Sequence, residues 1–259
     1  MNNKVLLFLA DGMRPDFMVN CGNPYVDTLL AESAYTLAGR TVMPSVTLPC
    51  HMSLFHSVPP ERHGVLTNDW RPQVRPVRGL CEALAGAGKA CGLLYDWEPL
   101  RDLSRPGNLS FNYFTRSVYE ESMLKIRDAA IERVLEDKLD FMFVYFGLTD
   151  SLGHRHGFTS EEYRAGMREV WDNLRLIAEA LDSRGWSLAV TADHGGHGRS
   201  HGDDCPEDMT IPIAFRGGAF RGLDPAKVAG ASIMDIAPTI AQAMGARPDP
   251  DWEGQVLFR

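Results

Sequence analysis

The chain is poor in cysteine, and its cysteines are scattered. Cys21, Cys50, Cys81, Cys91 and Cys205 are odd in number and never take a C-x-x-C spacing. That argues against a disulfide framework or a thiolate-rich zinc module, and it favours a reducing compartment. Long apolar runs are missing too. None approaches the ~20 residues of a membrane-spanning helix, so no membrane association is expected. The N-terminus has Lys4 and six apolar residues before Asp11, an apolar core too short for a secretory leader. The expected location is cytoplasmic. Positive charge is also in deficit, with 26 Lys and Arg against 34 Asp and Glu, a formal net charge of −8. No basic surface offsets phosphate charge, so a nucleic-acid polymer is not an expected partner. Low-complexity tracts, internal repeats and obvious linkers are lacking as well. What is present is 259 residues with 44% hydrophobic and 23% charged side chains. That supports one large α/β domain spanning residues 1–259.

Apolar runs of strand length alternate with helical patterns. Asn3–Ala10, Tyr35–Thr41, Ala90–Tyr95, Asp140–Phe146, Ser187–Ala192 and Ile211–Phe215 read as strands, the last placed at an edge by Pro212. Tyr25–Ala34, Val77–Gly88, Tyr119–Lys138, Ser160–Ser183 and Ile233–Met244 read as helices, and Pro49–His56 as the opening of another. The alternation predicts a doubly wound, mostly parallel central sheet with helices on both faces. The 96–117 stretch is rich in Pro, Arg and aromatics and reads as a small insertion over the site.

Aspartate and histidine recur just after the strand-like runs. Val5–Ala10 delivers Asp11. Phe141–Phe146 is followed by Asp150 and His154, four apart and on one face of a helical turn. Leu188–Ala192 delivers Asp193 and His194, then Gly195 and Gly196, which leave the backbone free to turn tightly. His197 and His201 between them offer one further ligand. In a parallel sheet such residues gather at one edge, where open α/β folds bind ligands. Three Asp and three His suffice for two metal ions and hence for hydrolysis of phosphate-like groups. Thr47 reads either as a simple N-cap or as a nucleophile, with helix N–H groups helping to hold phosphoryl oxygens. Asn68 reads as a loop capper or as an amide donor to such an oxygen. His51, His56 and His63 read as packing histidines, and His156 as a surface or supporting residue. Trp70, Tyr95 and Trp97 read as pocket or core residues alike.

Together these segments resemble the alkaline phosphatase superfamily, and within it the type I phosphodiesterase/nucleotide pyrophosphatase branch. The matching pieces are Asp11, Pro44–His51, Pro60–Gly64, Thr149–His154, Ala192–Gly195, His201–Gly202 and Met234–Thr239. The resemblance implies two divalent ions, zinc or else manganese or magnesium. Asp11, Thr47, Asp193 and His194 would hold one, and Asp150, His154 and His201 the other. It favours His201 over His197, because the late family histidine precedes glycine and an acidic residue, as in His201-Gly-Asp-Asp204. It makes Thr47 the nucleophile, with a phospho-threonine intermediate and Asn68 on the phosphoryl group. The implied substrate is a small-molecule phosphoester. Two positions depart from the pattern. Leu48 stands where many nucleotide-cleaving members carry a stacking aromatic, and Cys50 replaces a family asparagine. The Cys-x-Pro-x-Arg motif of sulfatases is lacking.

Overall fold

The computed structural model describes residues 3–105 and 107–259. Seven strands form one sheet: β1 (Val5–Ala10), β2 (Ser33–Arg40), β3 (Cys91–Tyr95), β4 (Phe111–Phe114), β5 (Phe141–Phe146), β6 (Ser187–Thr191) and β7 (Thr210–Arg216). Their spatial order is β2-β7-β6-β1-β5-β3-β4. β1 pairs in parallel with both β5 and β6, and β3 in parallel with β5 and β4. Every residue of β1, β5, β3 and β6 is buried. That is why these strands read as unbroken apolar runs: helices cover both faces of a parallel sheet. Pro24–Ala31, Tyr119–Glu136, Leu148–His156 and Glu161–Ser183 form one packed group of helices. Thr47–His56, Leu80–Gly86 and Ile236–Ala243 form the other.

The strand at Pro212 departs from expectation. β7 is antiparallel and lies between β2 and β6, inside the sheet. A proline is tolerated there because Pro212 faces β6, whose ladder with β7 ends at the Thr191–Ile213 pair, one residue short of the N–H that proline lacks. The Pro212 carbonyl still accepts from the Thr191 hydroxyl at 3.0 Å. The 96–117 stretch also contributes to the sheet. Phe111–Phe114 is the edge strand β4, reached through a 3-10 turn at Glu98–Leu103.

Candidate metal centre

Three adjacent strands, β6, β1 and β5, end at the same edge and release Asp193, Asp11 and Asp150 there. Gly12 makes the meeting possible. It sits at φ 65°, and a Cβ on it would lie 3.0 Å from the Phe158 ring and 3.2 Å from Asp150 Oδ1. Its N–H donates to Asp193 Oδ1 at 3.1 Å. Gly195 and Gly196 serve close approach rather than unusual dihedrals. Their N–H groups donate to the Asp208 and Glu207 carbonyls at 2.8 Å, and a Cβ on Gly195 would fall 2.0 Å from the Glu207 oxygen.

The histidines complete two overlapping clusters. His194 Nε2 lies 3.3 Å from Asp11 Oδ1, 3.4 Å from Asp193 Oδ2 and 3.3 Å from Thr47 Oγ1. Asp150 Oδ1 lies 3.4 Å from His154 Nε2 and 3.6 Å from His201 Nε2. The His194 and His201 rings stack at 3.6 Å between centroids. Asp150 belongs to both clusters, since Asp11, Asp150 and His194 also bring ligand atoms within 4.8 Å of one another. All seven residues expected from the sequence thus meet at one place.

Two features of this arrangement fit cations. First, Asp11 Oδ1, Asp150 Oδ1 and Asp193 Oδ2 are buried without a hydrogen-bond partner, and these are the oxygens that face the ring nitrogens. Second, each histidine spends Nδ1 on a backbone carbonyl. His194 donates to Gly195 at 2.8 Å, His154 to Arg199 at 2.9 Å and His201 to Ser45 at 2.9 Å. That fixes the tautomer and leaves every Nε2 with its lone pair turned inward, the arrangement of metal-ligating histidines. A donor set of imidazole nitrogen and carboxylate oxygen, without thiolate, suits zinc and accommodates manganese or magnesium.

Electrostatics agree. Burial, then the charges of Asp193 and Asp150, push Asp11 well above the usual carboxylate range. Burial pushes Asp150 up to about 6 against the pull of His201 and His154. Burial acts on Asp193 too, but the His194 and His51 rings and the Gly12 N–H outweigh it and hold that group low. Burial, then the neighbouring His194, pushes His201 down to about 4, keeping it neutral. Three buried carboxylates paired with no Lys or Arg among the described residues form a site that positive charge from outside would stabilise.

The surroundings contain residues that sequence reasoning undervalued. The Tyr145 hydroxyl donates to Asp11 Oδ2, and the Thr149 hydroxyl to the Asp11 carbonyl. His51 is more than packing. Its Nδ1 donates to the Thr47 carbonyl at 2.8 Å and lies 3.6 Å from Asp193 Oδ2. Their signals were the position of Tyr145 within a ligand-bearing strand and of His51 one helical turn after Thr47. His197 stays outside the centre and pairs with the buried Asp208 at 2.8 Å. The other Asp208 oxygen accepts the Asp203 N–H at 3.0 Å, so Asp208 pins both ends of the loop that carries His201. His56 and His63 are buried packing residues, and His156 lies 3.9 Å from Glu162.

Thr47 opens the Thr47–His56 helix as its first residue, after the cap residue Val46. The expected anion cradle of helix N–H groups is mostly spent. Leu48 N–H donates to Asn68 Oδ1 at 2.9 Å, Pro49 has none, and Cys50 N–H donates to Val46 at 3.0 Å. Asn68 is therefore a loop capper, its Oδ1 taken by the Leu48 N–H. Leu48 is fully buried, Tyr95 joins the core, Trp97 packs against it, and Trp70 remains half-exposed.

Comparison with known proteins adds the lineage. The family model described as type I phosphodiesterase / nucleotide pyrophosphatase matches residues 5–84 and 92–209. Human ectonucleotide pyrophosphatase/phosphodiesterase family member 7 is 24% identical over 222 residues, 74% of this chain and 48% of that protein. A 2,3-bisphosphoglycerate-independent phosphoglycerate mutase of Bacteroides thetaiotaomicron is 26% identical over 145 residues, 54% of this chain and 28% of that protein. The chain thus spans about half or less of these relatives. Murine ectonucleotide pyrophosphatase/phosphodiesterase 5, solved as an inactive form with AMP, superposes with a TM-score of 0.76 at 16% identity, covering 99% of this chain and 100% of that one. A 2-O GAG sulfatase superposes with a TM-score of 0.79 at 12% identity, covering 99% of this chain and 73% of that one. These superpositions establish a shared alkaline phosphatase-like fold. With the matched segments covering most of its length, the chain belongs to the type I phosphodiesterase/nucleotide pyrophosphatase family.

Proposed function

We propose that this protein is a metal-dependent phosphoester hydrolase of phosphodiesterase type, with Thr47 as nucleophile. The observation that carries the reading is the Thr47 hydroxyl 3.3 Å from His194 Nε2, within a ring of unpartnered carboxylate oxygens and inward-facing imidazole nitrogens. Asp11, Thr47, Asp193 and His194 would hold one divalent cation, and Asp150, His154 and His201 the other, most simply zinc. When bound, the two cations would lower the pKa of the Thr47 hydroxyl and neutralise charge on the phosphoryl oxygens.

The chain's own residues supply orientation. Tyr145 and the Gly12 N–H fix the two carboxylates, Asp11 and Asp193, that lie against His194, itself beside Thr47. His51 ties the first helical turn to that pair. Attack by Oγ1 forms the threonine–phosphorus bond, and the bond from phosphorus to the leaving alkoxide breaks. Asn68, whose Oδ1 accepts the Leu48 N–H, would donate from Nδ2 to an equatorial phosphoryl oxygen. Water then hydrolyses the phospho-threonine and restores the hydroxyl. The substrate on this reading is a small-molecule phosphoester, and the proposed location is cytoplasmic.

The test is turnover of bis-(p-nitrophenyl) phosphate against p-nitrophenyl phosphate by zinc-loaded protein. Preference for the diester is expected. Turnover confined to the monoester assigns a phosphomonoesterase. No turnover of either, with metal bound, turns the reading toward a phosphonate hydrolase or a non-catalytic metal-binding relative.

A further inference from the structure

A further group of ligand side chains lies outside the centre already described. His197 Nδ1, Cys205 Sγ and Asp208 Oδ1 come within 4.8 Å of one another. The ring nitrogen is 2.8 Å from the carboxylate oxygen and 3.8 Å from the sulfur. The proposed hydrolysis uses none of the three. Local sequence brings them together. Pro206 opens a short helix at Pro206–Met209, so Cys205 and Asp208 stand three apart across one helical turn. The Asp208 N–H donates to the Cys205 carbonyl at 3.2 Å. His197 and Ser200 exchange N–H to carbonyl bonds at 2.9 Å, a tight turn that folds the chain back.

The group is held in place from behind. Asp208 is fully buried and pairs with no Lys or Arg among the described residues. The Asp203 N–H fixes its second oxygen at 3.0 Å, which leaves Oδ1 facing the ring. The other ring nitrogen, Nε2, lies 3.6 Å from Asp203 Oδ2. A carboxylate behind a histidine is the outer partner that orients a metal-bound ring. Asp208, then Asp203 and Glu207, set the ring in a negative field. Cys205 is the one cysteine of the five that is not buried, and it lines a cavity of about 230 Å³ beside Arg40, Asp204 and Met209. A cation thus has a way in and room for water as a fourth ligand. Opening the nitrogen–oxygen pair by about 0.5 Å gives tetrahedral spacing for Zn–N of ~2.0 Å and Zn–S of ~2.3 Å. One thiolate, one imidazole and one carboxylate suit zinc, cobalt or cadmium rather than magnesium or calcium.

We propose that His197, Cys205 and Asp208 form a further metal site, selective for a thiophilic divalent cation and separate from the hydrolytic pair. Binding releases to buffer the Cys205 thiol proton and the proton shared by His197 and Asp208. The bound cation joins the two ends of the segment that presents His201.

Cobalt(II) reports on this site alone, because the hydrolytic centre offers only nitrogen and oxygen donors and the other four cysteines are buried. Zinc-loaded protein is titrated with cobalt(II) without oxygen, and the thiolate-to-cobalt charge-transfer band is followed in the near ultraviolet. A saturable band is expected. Excess cadmium should abolish it, and excess magnesium should leave it unchanged. Cys205→Ser, which keeps the size of the side chain, should remove the band. His197→Ala should raise the cobalt concentration at half-saturation by about 10-fold or more, since loss of even an outer partner costs about 10- to 100-fold. No band at saturating cobalt, or a wild-type band indifferent to cadmium, overturns the site without recourse to a variant. A band that survives Cys205→Ser overturns it too. Unchanged half-saturation in His197→Ala identifies a simple thiol adduct and overturns it equally. Phosphoester turnover rests on other residues and stands or falls separately.

Discussion

Nε2 of His201 lies 3.2 Å from Nε2 of His154, and both rings have committed Nδ1 to a backbone carbonyl. Two lone pairs therefore face each other with Asp150 Oδ1 within 3.6 Å of each. A shared cation relieves that opposition, and a proton relieves it only in part. Removing metal with a chelator should lower Tm by several degrees, and added zinc should restore it, as binding to the folded state alone requires. Calorimetry with and without EDTA measures this. An identical Tm in both would remove the basis for a cation here.

Asp150 contributes to both clusters, so its loss should be felt twice. Asp150→Ala is expected to reduce bound metal from two equivalents to one or fewer. Elemental analysis of dialysed protein gives the count. Two equivalents retained would exclude Asp150 from the ligand set.

Thr47→Ala should separate binding from chemistry. Diester turnover is expected to fall by about 10³-fold or more, as for loss of a nucleophile, while metal content changes little because three other ligands remain at that position. Rapid quenching followed by mass spectrometry of the wild type should find phosphate on the peptide containing Thr47. Turnover near the wild-type rate in the variant would refute the nucleophile assignment.

Asp208 pairs with none of the seven residues of the centre, yet it pins the loop between His194 and His201 through His197 and the Asp203 N–H. Asp208→Ala should cost about 1–3 kcal/mol, the penalty for breaking a buried hydrogen-bonded pair. It should also weaken retention of the metal held by His201 more than that held by His194. Metal release followed with a chromogenic chelator distinguishes the two. Equal release rates would make the role purely structural.

Asp96 is buried at the end of β3, and the nearby N–H groups of Gly147 and of Asp96 itself offset that burial only in part. Burial pushes it up to about 7. A carboxyl raised above its unfolded value near 4 binds its proton more tightly in the folded state. Its stabilising contribution is complete below about pH 4 and is lost as pH rises through about 7. Asp96→Asn removes the cost of an ionised group, so it should gain on the wild type at pH 8 by about 1–4 kcal/mol and show little difference at pH 4–5. Urea unfolding at both pH values measures it, and the same difference at both would dissociate Asp96 from the pH dependence.

The sequence by itself determined the sheet's buried strands and the Asp and His residues at their ends. A strand covered on both faces has to be apolar throughout, so an Asp directly after such a run stands out at once, as Asp11 and Asp193 do. The spacing of Asp150 and His154 likewise follows from one helical turn. The mostly parallel sheet was legible in the alternation of strands and helices, but the strand order and the antiparallel setting of β7 were not readable locally. β7 sits inside the sheet, with Pro212 one residue beyond the end of its ladder with β6, a pairing between stretches distant in sequence. The separation of His201 from His197 by residue type alone was also undetermined, since both are histidines in one short loop. The tertiary structure sets the two rings apart, since Asp208 holds His197 and the Ser45 carbonyl holds His201, each by a contact from elsewhere in the chain. The same holds for the helix N-terminus at Thr47. Its opening was legible in Pro49, but only the folded loop showed Asn68 taking the Leu48 N–H. Periodicity and strand ends are encoded by near neighbours. Which donor meets which acceptor is set by surfaces that meet only when the chain is closed.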